Sequence, residues 1–128
     1  MSAPADPARL DPATYSELND RDFALLVKDP DAAKGRKVVV YGRVTQFDAA
    51  TGKTTFRANT AATVQDSEWG YSQNTIVHAR DAATVADVVQ EDVVKMFVTV
   101  DGSQTYDTAI GGQMTVPQVT VNIIERIS

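Results

Sequence analysis

The chain contains no cysteine, which excludes disulfides, thiolate metal sites and cysteine nucleophiles together. It has one histidine, and a single imidazole without thiolates leaves only carboxylates to complete a metal site. No stretch approaches the roughly 20 apolar residues needed to span a bilayer. No cationic segment followed by an apolar core opens the chain, so no signal peptide is read at its start. Positive charge is also in short supply. The net charge of -5 argues against non-specific binding to DNA or to anionic lipid.

What is present describes one folded domain. At 128 residues the chain has the usual size of a single domain, large enough to bury roughly two thirds of its unfolded surface without a metal or disulfide. Its 43% hydrophobic and 23% charged residues are ordinary for a globular protein. The charge is uneven along the chain: residues 1–33 carry -4, residues 34–57 carry +5 and residues 58–128 carry -6. The basic segment (Lys34, Arg36, Lys37, Arg43, Lys53, Arg57) keeps an anionic ligand in view.

Pro4, Pro7 and Pro12 alternate with alanines at the start, and proline fixes φ and lacks a donor, so residues 1–13 read as an extended leader. Residues 14–128 read as a single domain. Thr14 with Glu17 matches a capping box. Tyr15, Leu18, Phe23, Leu26 and Val27 form a broken apolar stripe, and Asn19 and Asp20 interrupt it. The expectation is a turn and then a helix near residues 20–28, ended by Asp29-Pro30.

Strand signals fill the rest. Residues 36–47 (RKVVVYGRVTQF) put Val38, Val40, Gly42 and Val44 on one face, with Val39, Tyr41, Arg43, Thr45 and Phe47 on the other. Gly42 suggests a bulge or sharp bend. Further strands are expected over residues 54–60, 74–80, 93–100 and 113–127. A loop is expected at 64–73, and another at 101–112 with three glycines. Val85, Val88 and Val89 mark a short helix between the third and fourth strands, plugging the barrel end. Val94, Met96, Val98, Val100, Val119, Val121 and Ile123 are expected to face the core. Pro117 implies an edge or a bulge. This order predicts a mainly β fold: a five-stranded Greek-key barrel of the OB type with an N-terminal helix and a short helix between strands three and four.

The run KDPDAAKGRKVVVYGRVTQF, with TYDTAIGGQMTVPQVTVNIIE later in the chain, resembles bacterial OB-fold domains described as tRNA-anticodon-binding-like, many of them lipoproteins or exported proteins of Gram-positive bacteria and their phages. The resemblance rests on Lys34-Gly35, Gly42, Gly102 with Thr105-Tyr106, the Gly111-Gly112 pair and Pro117, and covers residues 23–127. These are turn and bend positions that specify a fold rather than a ligand. The resemblance implies export and tethering at a cell surface. The cysteine of a lipobox is absent, and the family supplies no catalytic residue to transfer.

Candidate chemistry is sparse. His78 sits on a strand with Arg80 two residues on, and without a second ligand it reads as an ordinary surface residue. Asp66 and Glu68 lack the glycine-bearing twelve-residue pattern of a calcium loop and read as solvated acids. Gly111-Gly112 is followed by Gln113 and Met114, not the lysine and hydroxyl of a phosphate-binding loop. No metal, cofactor or catalytic group is therefore expected, and the chain reads as non-enzymatic.

The remaining candidate is a binding surface. In OB folds the ligand crosses strands two and three, flanked by the loops joining strands one–two and four–five. The candidate contact residues are Arg43, Lys53, Arg57, Trp69, Tyr71, His78 and Arg80. The leading expectation is an extracytoplasmic interaction domain, tethered at a bacterial surface and binding a protein or envelope component, with a phage-encoded role such as blocking superinfection implied by the resemblance alone. The alternative is a cytoplasmic binder of single-stranded nucleic acid, which needs cations for the backbone and aromatic rings for base stacking.

Overall fold

The structure, a computed structural model, describes residues 10–49, 51–67 and 70–127. Residues 1–9 of the expected leader lie outside them. A short strand β1 (Ser16–Glu17) and a helix α1 (Asp20–Lys28) precede five long strands. These are β2 (Lys37–Gln46), β3 (Thr55–Ala61), β4 (Gln73–Ala79), β5 (Val93–Asp107) and β6 (Gln113–Arg126). The sheet order is β1-β2-β3-β4-β6-β5, and β2 also pairs with β5, so β2–β6 close into a five-stranded barrel. The β4–β6 and β1–β2 pairs are parallel and the rest antiparallel.

The valine-rich alternation fills the interior. Val38, Val40, Val44, Phe56, Ala58, Val77, Val94, Met96, Val98, Val100, Val119 and Val121 form one buried cluster. Gly42 keeps regular register with both neighbours, opposite Thr60 on β3 and Val94 on β5. The bulge expected there lies instead between Val44 and Gln46. Gly42 serves close approach: a Cβ would lie 3.0 Å from the Asn59 carbonyl oxygen and 3.1 Å from Met96 Cε and Thr60 Cγ2.

The bulge has a consequence for side-chain direction. One extra residue, Thr45, reverses the alternation that follows it. Gln46 then faces outward opposite Arg57. Phe47, expected on the outer face with Tyr41, turns inward and stacks on Phe56 with ring centroids 5.1 Å apart. The same thing happens on β6. The register shifts between Phe97 and Val98, so that Phe97 faces Ile123 and Val98 faces Val121. Ile123, expected in the core, therefore joins an outer cluster with Tyr15, Val39 and Phe97, while Ile124 packs on the main core. The extra residue, Asn122, is buried and donates from Nδ2 to Tyr15 Oη at 3.0 Å and to Thr99 Oγ1 at 3.2 Å.

The two ends of the barrel are covered differently. Helix α1 lies over the end where β2 begins, burying Leu26 and packing Phe23 on the core. It is capped by Asn19, whose Oδ1 accepts from the Asp22 amide at 2.7 Å. The capping box expected at Thr14 and Glu17 does not form. Pro12–Thr14 is a tight 3-10 turn capped by Asp11, and Glu17 lies in β1. Pro12 presets the turn, and the chain crosses to the outer face of β2 before the helix starts. A 3-10 turn, Ala82–Val85, stands in the place of the expected second helix and buries Val85 at the end where β2 finishes.

The expected loop at 101–112 is mostly strand. β5 runs on to Asp107 and pairs with β6 as a projecting arm, with only residues 108–112 left to turn. Gly102 absorbs the irregularity, at φ 104 beside a register shift between Val100 and Gly102. Pro117 comes one residue before β6 gains β4 as a neighbour, so its missing donor falls on what is still an edge.

Two substitutions test this packing by urea unfolding. Phe56→Ala, at a fully buried ring, is expected to cost about 3–5 kcal/mol. Gly42→Val is expected to cost about 1–3 kcal/mol by overpacking. A neutral result at either position would mean that the barrel is not closed at that point.

Candidate ligand-binding face

The outward residues of β3 and β4 line up in rows set by strand register. Gln46, Arg57, Ile76 and Gln118 run across β2, β3, β4 and β6. Thr55, His78 and Thr120 form the row on one side, and Arg43, Asn59 and Asn74 the row on the other. A cavity of about 310 Å³ opens on this face. Gln46, Thr51, Thr55, Arg57, His78 and Gln104 surround it, with Ile76 contributing the apolar patch.

The arm bends toward the same face. The Arg57 guanidinium lies over the Tyr106 ring, 4.8 Å from its centroid. Asn74 Nδ2 donates to the Tyr106 hydroxyl at 3.0 Å, and that hydroxyl donates to Met114 Sδ at 3.2 Å. The contacts fix both partners, because a stacked guanidinium keeps its edge donors aimed outward. His78 is held between neighbours, Nδ1 3.2 Å from Thr55 Oγ1 and Nε2 2.9 Å from Gln118 Oε1. An amide oxygen only accepts, so Nε2 donates to Gln118.

The other candidate residues are spread out. Arg43 sits at the margin of the face and is ion-paired with Glu91. Arg80 is paired with Asp81 at 2.5 Å and donates to the Asn122 carbonyl. Lys53 lies in the β2–β3 turn and lines a different cavity. Tyr71 is buried, its hydroxyl accepting from the Gln65 amide at 3.0 Å. It anchors its own loop, and its burial leaves little of it for a partner. Trp69 lies outside the described residues.

The basic segment of the sequence is therefore dispersed by the fold. Lys37 stacks over Tyr15 on the outer cluster, Arg43 and Arg57 belong to the face, and Lys53 points elsewhere. Tyr106, Asn59, Asn74, Gln46, Gln104 and Gln118 escaped the sequence reading. Neutral amides carry no chemical signature, and the glycines of residues 101–112 signal a loop where the fold makes an arm. The period-two spacing of Gln104 and Tyr106 was the available signal.

Among the described residues no group of three or more His, Asp or Glu is arranged to hold a metal ion, and no helix is long and apolar enough to cross a membrane. What the face offers is one guanidinium, one aromatic ring and a set of neutral donors and acceptors around an apolar centre. That equipment suits holding an extended, partly flat ligand.

Strand order, the parallel β4–β6 pair and the face across β3 and β4 define a barrel of the OB type. No protein-family model matches the chain, and no curated protein matches it. A solved structure that is similar is that of the mitochondrial single-stranded DNA binding protein Rim1 from S. cerevisiae, 12% identical over 74% of this chain and 96% of that one, with a TM-score of 0.41.

The hydrogen bonds of His78 are open to direct measurement. Long-range proton–nitrogen spectra are expected to show the Nε2–H tautomer, and Gln118→Leu is expected to shift the ring toward a mixture of tautomers. A ring already mixed in the unsubstituted protein would mean that Gln118 does not hold it.

Proposed function

We propose that this domain is a non-enzymatic binder of single-stranded nucleic acid, with the strand laid across β3 and β4 and bordered by the β5–β6 arm. One observation carries the reading: the Arg57–Tyr106 stack stands beside rows of amide side chains on the face where OB barrels take ligands. Tyr106 and Arg57 offer planar groups to bases, which stack on either. Asn59, Asn74, Gln104 and Gln118 offer donors and acceptors to base edges, and Arg57 offers a cation to phosphate. Few cations converge here, so the salt dependence will be shallow. Neutralising two or three phosphates on a single strand gives a slope of about -1.4 to -2.1 in log K against log salt.

A second reading keeps a protein or cell-envelope partner for an exported, surface-tethered domain. What favours it is apolar surface that a phosphate backbone cannot use. Ile110, at the tip of the arm, is 95% exposed. Net charge also favours it, since the chain carries -5 overall and repels polyanions at long range.

Fluorescence anisotropy with labelled dT and rU 12-mers at low and moderate salt separates the readings. Saturable, salt-weakened binding is expected, with Tyr106→Ala weakening it about 5- to 160-fold, equivalent to about 1–3 kcal/mol per stacked base. Ile110→Ser is expected to leave it unchanged. Absence of binding at low salt rules out the first reading. Loss of binding on Ile110→Ser alone would move the contact to the tip of the arm.

A further inference from the structure

A second cavity lies away from the β3–β4 face. It is a cleft of about 640 Å³ between the β2–β3 turn and the Ala82–Val88 segment, at the end of the barrel covered by Val85. Its size falls in the range of small-molecule sites, about 300–1,000 Å³. We propose that this cleft is a binding site for a small aromatic carboxylate.

Three features define that ligand. The first is Phe47, turned inward by the Thr45 bulge. One face of its ring rests on the buried Phe56 at an interplanar angle of 22°, and the ring also borders the cleft. A ring backed by a buried partner is a rigid stacking platform. The second is the short side chains of Ala49, Ala82 and Ala86 along the cleft, which leave width for a flat ring, while Val85 and Val88 add apolar area. The third is the charge of the rim. Asp48 and Lys53 both border the cleft, but the Asp48 carboxylate is occupied within its own turn. Its Oδ1 accepts from the Thr51 amide at 3.2 Å and its Oδ2 from Gln46 Nε2 at 3.4 Å. Lys53 has no hydrogen bond or ion pair among the described residues. An apolar slot with an unengaged ammonium at its mouth selects an apolar ring carrying one negative group. None of the residues assigned to this ligand belongs to the proposed nucleic-acid face, so the two sites stand or fall separately.

The test is a titration of the full chain followed by amide proton–nitrogen spectra, with 2-naphthoate and its neutral counterpart 2-naphthamide as probes. Saturable shifts are expected at Gly52, Lys53 and residues 82–88, with 2-naphthoate binding 3- to 10-fold more tightly than the amide. Lys53→Gln should bring the two probes to equal affinity. Ala86→Glu changes an exposed residue, leaves the core intact, and should weaken 2-naphthoate more than 10-fold. Shifts that do not saturate, or that centre elsewhere, would overturn the site. Equal affinity for the two probes in the unsubstituted protein, or indifference to Lys53→Gln, would overturn its anionic selectivity. Indifference to Ala86→Glu would overturn its location.

Discussion

Strand β2 is hydrogen-bonded along both edges over the same residues, and the rest of the architecture follows from that. Tyr41, Gly42 and Arg43 each face a partner on β3 and another on β5. A strand shared in this way turns an open sheet into a cylinder. The sharing crowds the backbone around Gly42, where a methyl group would lie only 3.0–3.1 Å from β3 and the Met96 side chain. Closure in turn gives the inward valines a shared interior, and burial of that interior is the main force holding the chain.

Closing a small barrel also requires local irregularity, and here it reassigns side chains. The extra residue at Thr45 moves Phe47 from outside to inside, and the extra residue at Asn122 moves Ile123 from inside to outside. Each shift has a structural use. Phe47 closes the interior over Phe56 and borders the end cleft. Ile123 helps to build an apolar patch on the outer surface that Tyr15 covers, edge-on to Phe97 at 5.5 Å. Asn122 then ties that strap to the barrel through the Tyr15 hydroxyl. The N-terminal segment is thus part of the fold from Tyr15 onward.

The binding face depends on the same register. Arg57 faces outward because Phe56 beside it faces inward, and alternate residues of a strand take opposite faces. The arm reaches the face because β5 and β6 continue past the barrel as a pair, with Gly102 taking a positive φ where β5 leaves it. The candidate site is therefore assembled from four strands and an arm, far apart in sequence, with no motif of its own.

The sequence alone determined the elements and the class of fold. β-branched alternation, the helix over residues 20–28 and Pro117 near a strand edge are local properties, decided by propensity and period within a few residues. It also determined that Phe56 and Arg57 lie on opposite faces. Which residues face inward beyond a bulge was decided only by tertiary structure, because a one-residue shift reverses every later position and leaves no local mark. The dispersal of the basic segment was decided the same way: Lys37, Arg43, Lys53 and Arg57 are near neighbours in sequence but are carried to different surfaces by strand alternation and a turn. Tyr106 reached Arg57 only through pairing between distant strands, a contact set by barrel closure rather than by any feature of residues 101–112.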